Sequence, residues 1–275
     1  MNASRAEPAQ GFLLSPAVGG LGADPRWEHS EAGPTSFGIS TITVASTVLW
    51  QDARLVCDQA LGRGCAFVAI LHEAGDFADE HVLADADRQR AMRYRQAGDR
   101  KNFVLGRTMV HHLVRPRGAL VPCAFSFGVH GKPFLPGLPA FNLSHSAEWV
   151  ACAVSPGESV GIDVEAFLRL GDHRDLLAGT THPAERLAIA RAEPDEQPAL
   201  FKRCWTRKEA VLKATGKGLS DDLCAIDVGL AERQPLVGDP ASLRLVDLLV
   251  GDDRVTACLA LEKWVPGVVV MHVSR

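Results

Sequence analysis

Two carboxylates stand two residues apart in the segment Gly161-Ile162-Asp163-Val164-Glu165. On a strand, positions i and i+2 share a face, so Asp163 and Glu165 would sit side by side while Ile162 and Val164 turn toward a core. Adjacent carboxylates repel unless a proton or a cation intervenes, and a hard divalent cation with oxygen ligands suits the pair. The same alternation also describes an edge strand with a solvated polar face. A second set, Trp205, Glu209 and Lys213, is spaced i, i+4, i+8 and shares one helix face, with Phe201, Cys204, Val211 and Leu212 left to cover a core. An acid and a cation one turn apart are a catalytic pair or an ordinary exposed ion pair, which contributes only about 0.3 to 0.5 kcal/mol. In a third segment, Asn142-Leu143-Ser144-His145-Ser146, small hydroxyls flank an imidazole; the turn Gly131-Lys132-Pro133 precedes it. These groups form either an anion cradle or a loop with a surface histidine. Arg90 and Arg93, with Arg95, Arg100 and Lys101 nearby, supply phosphate-binding charge or a solvated helix face.

Several stronger patterns are missing. No G-x-x-x-x-G-K-[ST] occurs, since no Ser or Thr follows Lys217, and neither H-E-x-x-H, G-x-S-x-G nor a strand-to-helix G-x-G-x-x-G is present. P-loop enzymes, zincins, esterases of the nucleophile-elbow type and dinucleotide dehydrogenases are thereby disfavoured.

These side chains need a scaffold. Residues 1–38, rich in Ala, Gly, Pro and Ser without helical or strand period, read as a flexible leader. Thr41–Trp50 and Ala66–His72 read as strands. His81–Val114 reads as a charged helical stretch, amphipathic from Asn102, stopped by Arg115-Pro116-Arg117-Gly118. Phe125–His130 reads as a strand running into the Gly131 turn. The apolar runs Glu148–Val154 and Ser159–Val164, joined by Pro156-Gly157, read as a hairpin. Pro198 opens a helix that Gly216 and Gly218 end. Strands are expected over Ile226–Leu230, Ser242–Val250, Arg254–Leu261 and Val268–Val273. The expectation is an α+β chain of two related lobes, 39–159 and 160–275, the second carrying the acidic site.

The 275 residues allow a sizeable core. A net charge of −4 argues against a nucleic-acid-coating protein, which would carry a basic excess. No apolar run approaches the roughly 20 residues of a membrane span, and the start lacks a signal-peptide pattern, which points to a cytoplasmic protein. Seven cysteines, scattered and never spaced C-x-x-C, read as reduced thiols among apolar neighbours.

Taken in order, Gly131-Lys132-Pro133, Phe141-Asn142-Leu143-Ser144-His145-Ser146, Gly161-Ile162-Asp163-Val164-Glu165, Trp205-Thr206-Arg207-Lys208-Glu209-Ala210-Val211-Leu212-Lys213 and Gly216-Lys217-Gly218-Leu219-Ser220 resemble the motif set of the Sfp-type 4′-phosphopantetheinyl transferases. The resemblance covers about Leu83 to Val228. It implies two pseudo-twofold-related lobes, each a long helix on a small, mainly antiparallel sheet, with coenzyme A between them. It implies transfer of phosphopantetheine from CoA to a serine of an apo acyl, peptidyl or aryl carrier protein, releasing adenosine 3′,5′-bisphosphate, by a monomer that uses Mg²⁺. On this resemblance Asp163, Glu165 and Glu209 look like the Mg²⁺ ligands and Lys213 like the lysine near the phosphates. Ser144 and His145 resemble contacts to the 3′-phosphoadenosine end, Gly131, Lys132 and Pro133 an adenine-side loop, and Arg90 a phosphate-binding residue. Asp87 stands where some relatives have another lysine. Glu209 is the expected general base for the attacking serine, with Lys213 at the leaving phosphate. Arg203, Arg207, Lys208 and Lys217 are candidate carrier-docking contacts or solubilising charge. Two other readings share the residues: a different Mg²⁺-dependent nucleotide-pyrophosphate transferase, and a non-catalytic CoA- or carrier-binding module. Which biosynthetic carrier is served stays open.

Overall fold

A computed structural model describes residues 37–44, 49–73, 75–116, 124–166, 173–218, 222–238, 242–251 and 255–273. The leader reading falls outside them for residues 1–36, and Gly38 already opens the first strand. That strand, β1 (Gly38–Val44), is followed by helix α1 (Leu49–Gly62), so Trp50 is helical and does not end a strand. Ala53, Cys57 and Ala60 fall on one helix face and are buried, a pattern that the β-branched residues before it masked. Strand β2 (Ala66–His72) lies where its apolar run predicts. The charged stretch divides into α2 (Asp85–Ala91) and α3 (Ala97–Leu113).

The expected strand Phe125–His130 shrinks to β3 (Ser126–Phe127), paired with β4 (Pro133–Phe134), because the residues between them make the turn. Strands β5 (Ala140–Ser146) and β6 (Trp149–Ser155) form a tight hairpin over Ala147 and Glu148. Pro156-Gly157 does not close a hairpin: it carries the chain from the sheet of β6 into a different sheet, where β7 (Val160–Ala166) pairs with β10 (Val255–Glu262). Helices α4 (His173–Thr180) and α5 (Pro183–Arg191) precede the long α6 (Gln197–Thr215). Gly216 ends α6 in the left-handed conformation, φ 69°, its N–H bonded to the Leu212 carbonyl. Ile226–Leu230, expected as a strand, is irregular. Strands β8 (Leu236–Val237), β9 (Leu243–Leu248) and β11 (Gly267–Val273) complete the chain.

The class is α+β. One sheet has the order β1-β11-β2-β6-β5, a second β7-β10-β9-β8. In the first sheet β11 pairs in parallel with both β1 and β2, so residues 267–273 complete a sheet otherwise built before residue 160. Period-two burial makes this a stack of layers. Phe67, Ala69 and Leu71 of β2 face α1 and α3, with Met109, Val110 and Leu113. Ala66, Val68 and Ile70 face the second sheet, meeting Ile162, Val164, Ala257 and Leu259. Leu245, Cys258 and Ala260 on the far side pack under Phe201, Cys204 and Val211 of α6. Each fully buried Val, Leu, Ile, Met or Phe among them contributes about 1.5 to 3 kcal/mol. Among the described residues, no helix is long and apolar enough to cross a membrane.

Candidate active site

The site forms where α6 lies on β7, and a glycine permits it. Gly161, Asp163 and Glu165 share one strand face; a Cβ at Gly161 would fall 2.0 Å from the Ala210 carbonyl oxygen and 2.4 Å from the Ala214 nitrogen. The helix backbone therefore rests on the strand at Gly161, which brings Lys213 against the carboxylates. Its Nζ donates to Asp163 Oδ1 at 2.6 Å and to Ser144 Oγ at 2.9 Å. Ile162 and Val164 turn to the core, as the alternation predicts.

Asp163 is 3% exposed. Its Oδ1 also accepts from Ser144 Oγ at 3.0 Å, whereas Oδ2 is buried without a hydrogen-bond partner. Glu165 Oε2 accepts from Ser146 Oγ at 2.9 Å, and the Trp205 side chain donates to the same carboxylate. Burial, then the charge of Asp163, pushes Glu165 above the ordinary carboxylate range, against the pull of Ser146, Lys213 and Trp205. Glu209 is pushed up by burial, then by Asp163 and Glu165, with Lys213 opposing. Lys202, one turn before Thr206 on α6, is lowered to about 8 by burial, although the negative Glu165 favours its charged form. Two carboxyls held above their usual range beside a third, with one buried oxygen unmatched, form a site short of positive charge.

The structure thus brings Asp163, Glu165, Glu209 and Lys213 together. Ser144 joins them from β5 but points inward: its oxygen accepts from Val164 N and from Lys213, and its proton goes to Asp163. A hydroxyl so occupied has nothing left for a nucleotide. His145, the next residue, is exposed on the opposite strand face. Lys132 does not reach outward either; its Nζ donates to the carbonyls of Val160 (2.9 Å) and Ala214 (3.0 Å) and ties the turn to the end of α6. Burial lowers this amine to about 8. Gly131 holds φ 80° in that turn, and Pro133 begins β4. Arg90 sits elsewhere, over the Phe103 ring at 5.4 Å, and lines a cavity of about 710 Å³ with Asp87, Arg93, Tyr94, Phe125 and Phe127.

Two of the expected docking residues are buried. Arg207 is 0% exposed and chelates Asp247 at 2.9 and 2.8 Å, while also donating to three carbonyls. Lys208, 1% exposed, pairs with Glu185 at 2.8 Å. Arg203 also bonds to Asp247, and Lys217 remains exposed. Leu219 and Ser220 lie outside the described residues. Sequence reading missed Glu185 and Asp247, which carried no signal; it placed Ser146 in a candidate anion cradle, whereas its hydroxyl bonds to Glu165. Among the described residues, the set of three metal-ligand side chains whose donor atoms lie within 4.8 Å of one another is His72, Glu73 and Glu148, half-buried to exposed where the end of β2 meets the β5–β6 turn; Asp163, Glu165 and Glu209 are neighbours but are not drawn together that closely.

The family model described as the 4′-phosphopantetheinyl transferase superfamily matches residues 159–257, a span that contains all four clustered side chains. The chain is 33% identical to a 4′-phosphopantetheinyl transferase of Bacillus subtilis over 53% of its own length and 65% of that relative. It is 33% identical to the 4′-phosphopantetheinyl transferase HetI of a Nostoc species over 66% of its length and 78% of HetI. To psf-1 of Bacillus pumilus, also named a 4′-phosphopantetheinyl transferase, identity is 34% over 58% of this chain and 67% of the relative. Similarity reaching across more than three quarters of one such enzyme, with the acidic strand and the lysine-bearing helix inside the matched span, makes the chain a member of the 4′-phosphopantetheinyl transferase superfamily, and so a transferase.

Proposed function

We propose that this protein transfers the 4′-phosphopantetheine arm of coenzyme A to a serine of an apo carrier protein, of the acyl, peptidyl or aryl kind, and releases adenosine 3′,5′-bisphosphate. The observation that carries the reading is Asp163: one oxygen bound to Lys213 and Ser144, the other buried and unmatched beside Glu165 and Glu209. Oxygen donors of this kind fit Mg²⁺, which Asp163, Glu165 and Glu209 would hold. When bound, the ion neutralises charge on the CoA pyrophosphate.

The remaining work falls to the chain. The carrier serine oxygen bonds to the phosphorus that bears the pantetheine arm, and that phosphorus releases the bridging oxygen of adenosine 3′,5′-bisphosphate. Little covalent assistance is needed, so alignment and charge placement dominate. Glu209, which stands beside Asp163, Glu165 and Lys213, would accept the serine proton. Lys213, anchored on Asp163, stands ready to neutralise the leaving phosphate. Arg90, which lines a cavity together with Arg93, would bind an outlying phosphate of CoA.

The six described cysteines are all free, which supports a reducing, cytoplasmic setting. Incubation with CoA, Mg²⁺ and one apo carrier from each of fatty-acid, polyketide and nonribosomal-peptide synthesis should add one phosphopantetheine unit to at least one carrier, read by intact-mass measurement. Chelation should abolish the gain, and Asp163→Asn should reduce it by orders of magnitude. No mass gain on any carrier, or an Asp163→Asn variant as active as the parent, overturns the proposal.

A further inference from the structure

We propose that Ser146 is a positioning residue for the transfer, acting through Glu165; the inference rests on the function proposed above. Strands β5 and β7 are edges of different sheets, yet they are stitched together by side chains. Asn142 Oδ1 accepts from Ile162 N at 2.9 Å, Ser144 Oγ from Val164 N at 3.2 Å and Ser146 Oγ from Ala166 N at 3.1 Å. Every second side chain of one edge thus takes every second N–H of the other, in place of a backbone ladder.

Counting protons shows what the last rung does. A serine hydroxyl has one proton. With an Ser146 lone pair committed to the Ala166 N–H, that proton goes to Glu165 Oε2 at 2.9 Å. Ser144 does the same for Asp163, but Lys213 also grips that carboxylate. Glu165 is oriented instead by two side-chain hydrogen-bond donors, Ser146 and Trp205. Ser146 is buried, and Ala147 beyond it turns the chain at φ 51°, so no later rung can substitute. The hydroxyl that fixes the junction of the two sheets therefore also fixes the direction of one carboxylate of the cation site. Asn142 makes the analogous rung without donating to a carboxylate, and it provides a control for the purely structural part.

The test is Mn²⁺ binding followed by electron paramagnetic resonance, with CoA present and no carrier, beside thermal midpoints. Loss of a bond that orients a metal-binding group typically weakens metal affinity about 10- to 100-fold. Ser146→Ala should weaken Mn²⁺ by that factor, whereas Asn142→Ala should lower the midpoint yet leave Mn²⁺ affinity within about threefold. If Ser146→Ala does not fold, Ser146→Cys, close in shape and a poorer donor, should weaken Mn²⁺ in the same direction. In a Glu165→Gln background, Ser146→Ala should cause no additional loss, because the residue through which it acts is gone. Unchanged Mn²⁺ affinity in Ser146→Ala or Ser146→Cys, or equal losses in both Glu165 backgrounds, overturns the positioning role while leaving the proposed function standing. A wild-type protein that binds no Mn²⁺ overturns both.

Discussion

Lys208 separates a docking role from a structural one. Its three ammonium protons are all committed: to Glu185 Oε2 at 2.8 Å, to the Leu223 carbonyl at 2.6 Å and to the Ile226 carbonyl at 2.5 Å. Glu185, equally buried, also accepts from the backbone N–H groups of His182 and Val228. Lys208→Met would leave that carboxylate inside the protein with two amide donors and no cation. Removing one member of a buried ion pair costs about 3 to 5 kcal/mol, because the survivor stays charged and desolvated. At about 2 to 4 °C per kcal/mol for a chain of this size, the thermal midpoint should fall by roughly 6 to 20 °C. A solubilising or docking lysine behaves oppositely: stability stays within about 0.5 kcal/mol and the KM for the carrier rises. Urea unfolding together with steady-state kinetics on the folded fraction distinguishes the two. An unfolding free energy within about 1 kcal/mol of wild type, with a raised carrier KM, would refute the burial argument.

Other consequences are as direct. Gly161→Ala places a methyl group inside the backbone of α6, so the helix must lift; we expect a loss of at least about 1 to 3 kcal/mol in unfolding free energy and near-complete loss of transfer, and a variant with normal activity would contradict the packing described. Arg90→Ala should raise the KM for CoA about tenfold or more with a smaller change in kcat, as expected for one lost charge-assisted contact; an unchanged KM removes Arg90 from CoA binding. Lys132 titrates near 8 when folded against a usual value near 10.5, so between those pH values the unfolded chain binds more protons and stability rises with pH. Wild type should therefore gain on Lys132→Met as pH climbs from 8 toward 10, and parallel urea-unfolding profiles would sink the assignment.

What the sequence displayed was local and periodic. The two-residue alternation of Gly161 to Glu165 and the four-residue spacing of Trp205, Glu209 and Lys213 are properties of single elements, and both survive in the fold. Pairing between elements is another matter. Pro156-Gly157 announces that the chain turns, yet the strand it leaves and the strand it enters lie in different sheets, which no turn residue encodes. The stitching of β5 to β7 is invisible because it joins side chains to amides across two sheets. Arg207 and Lys208 mislead for a chemical reason: charged residues on a helix ordinarily face water, and their partners, the half-buried Asp247 and the buried Glu185, lie far off in the chain.

The place of β11 bears on how the molecule comes into being. Residues 267–273 fill the slot between β1 and β2, about two hundred residues downstream of β2. Until that segment has left the ribosome, β1 has no neighbour and β2 exposes one whole edge, so the first sheet cannot close before residues 267–273 emerge. Bringing such distant segments together carries a loop-closure cost and slows folding. A nascent chain halted before residue 267 should be protease-sensitive in both sheets at once, since β2 and β11 both line the apolar layer on which the second sheet rests.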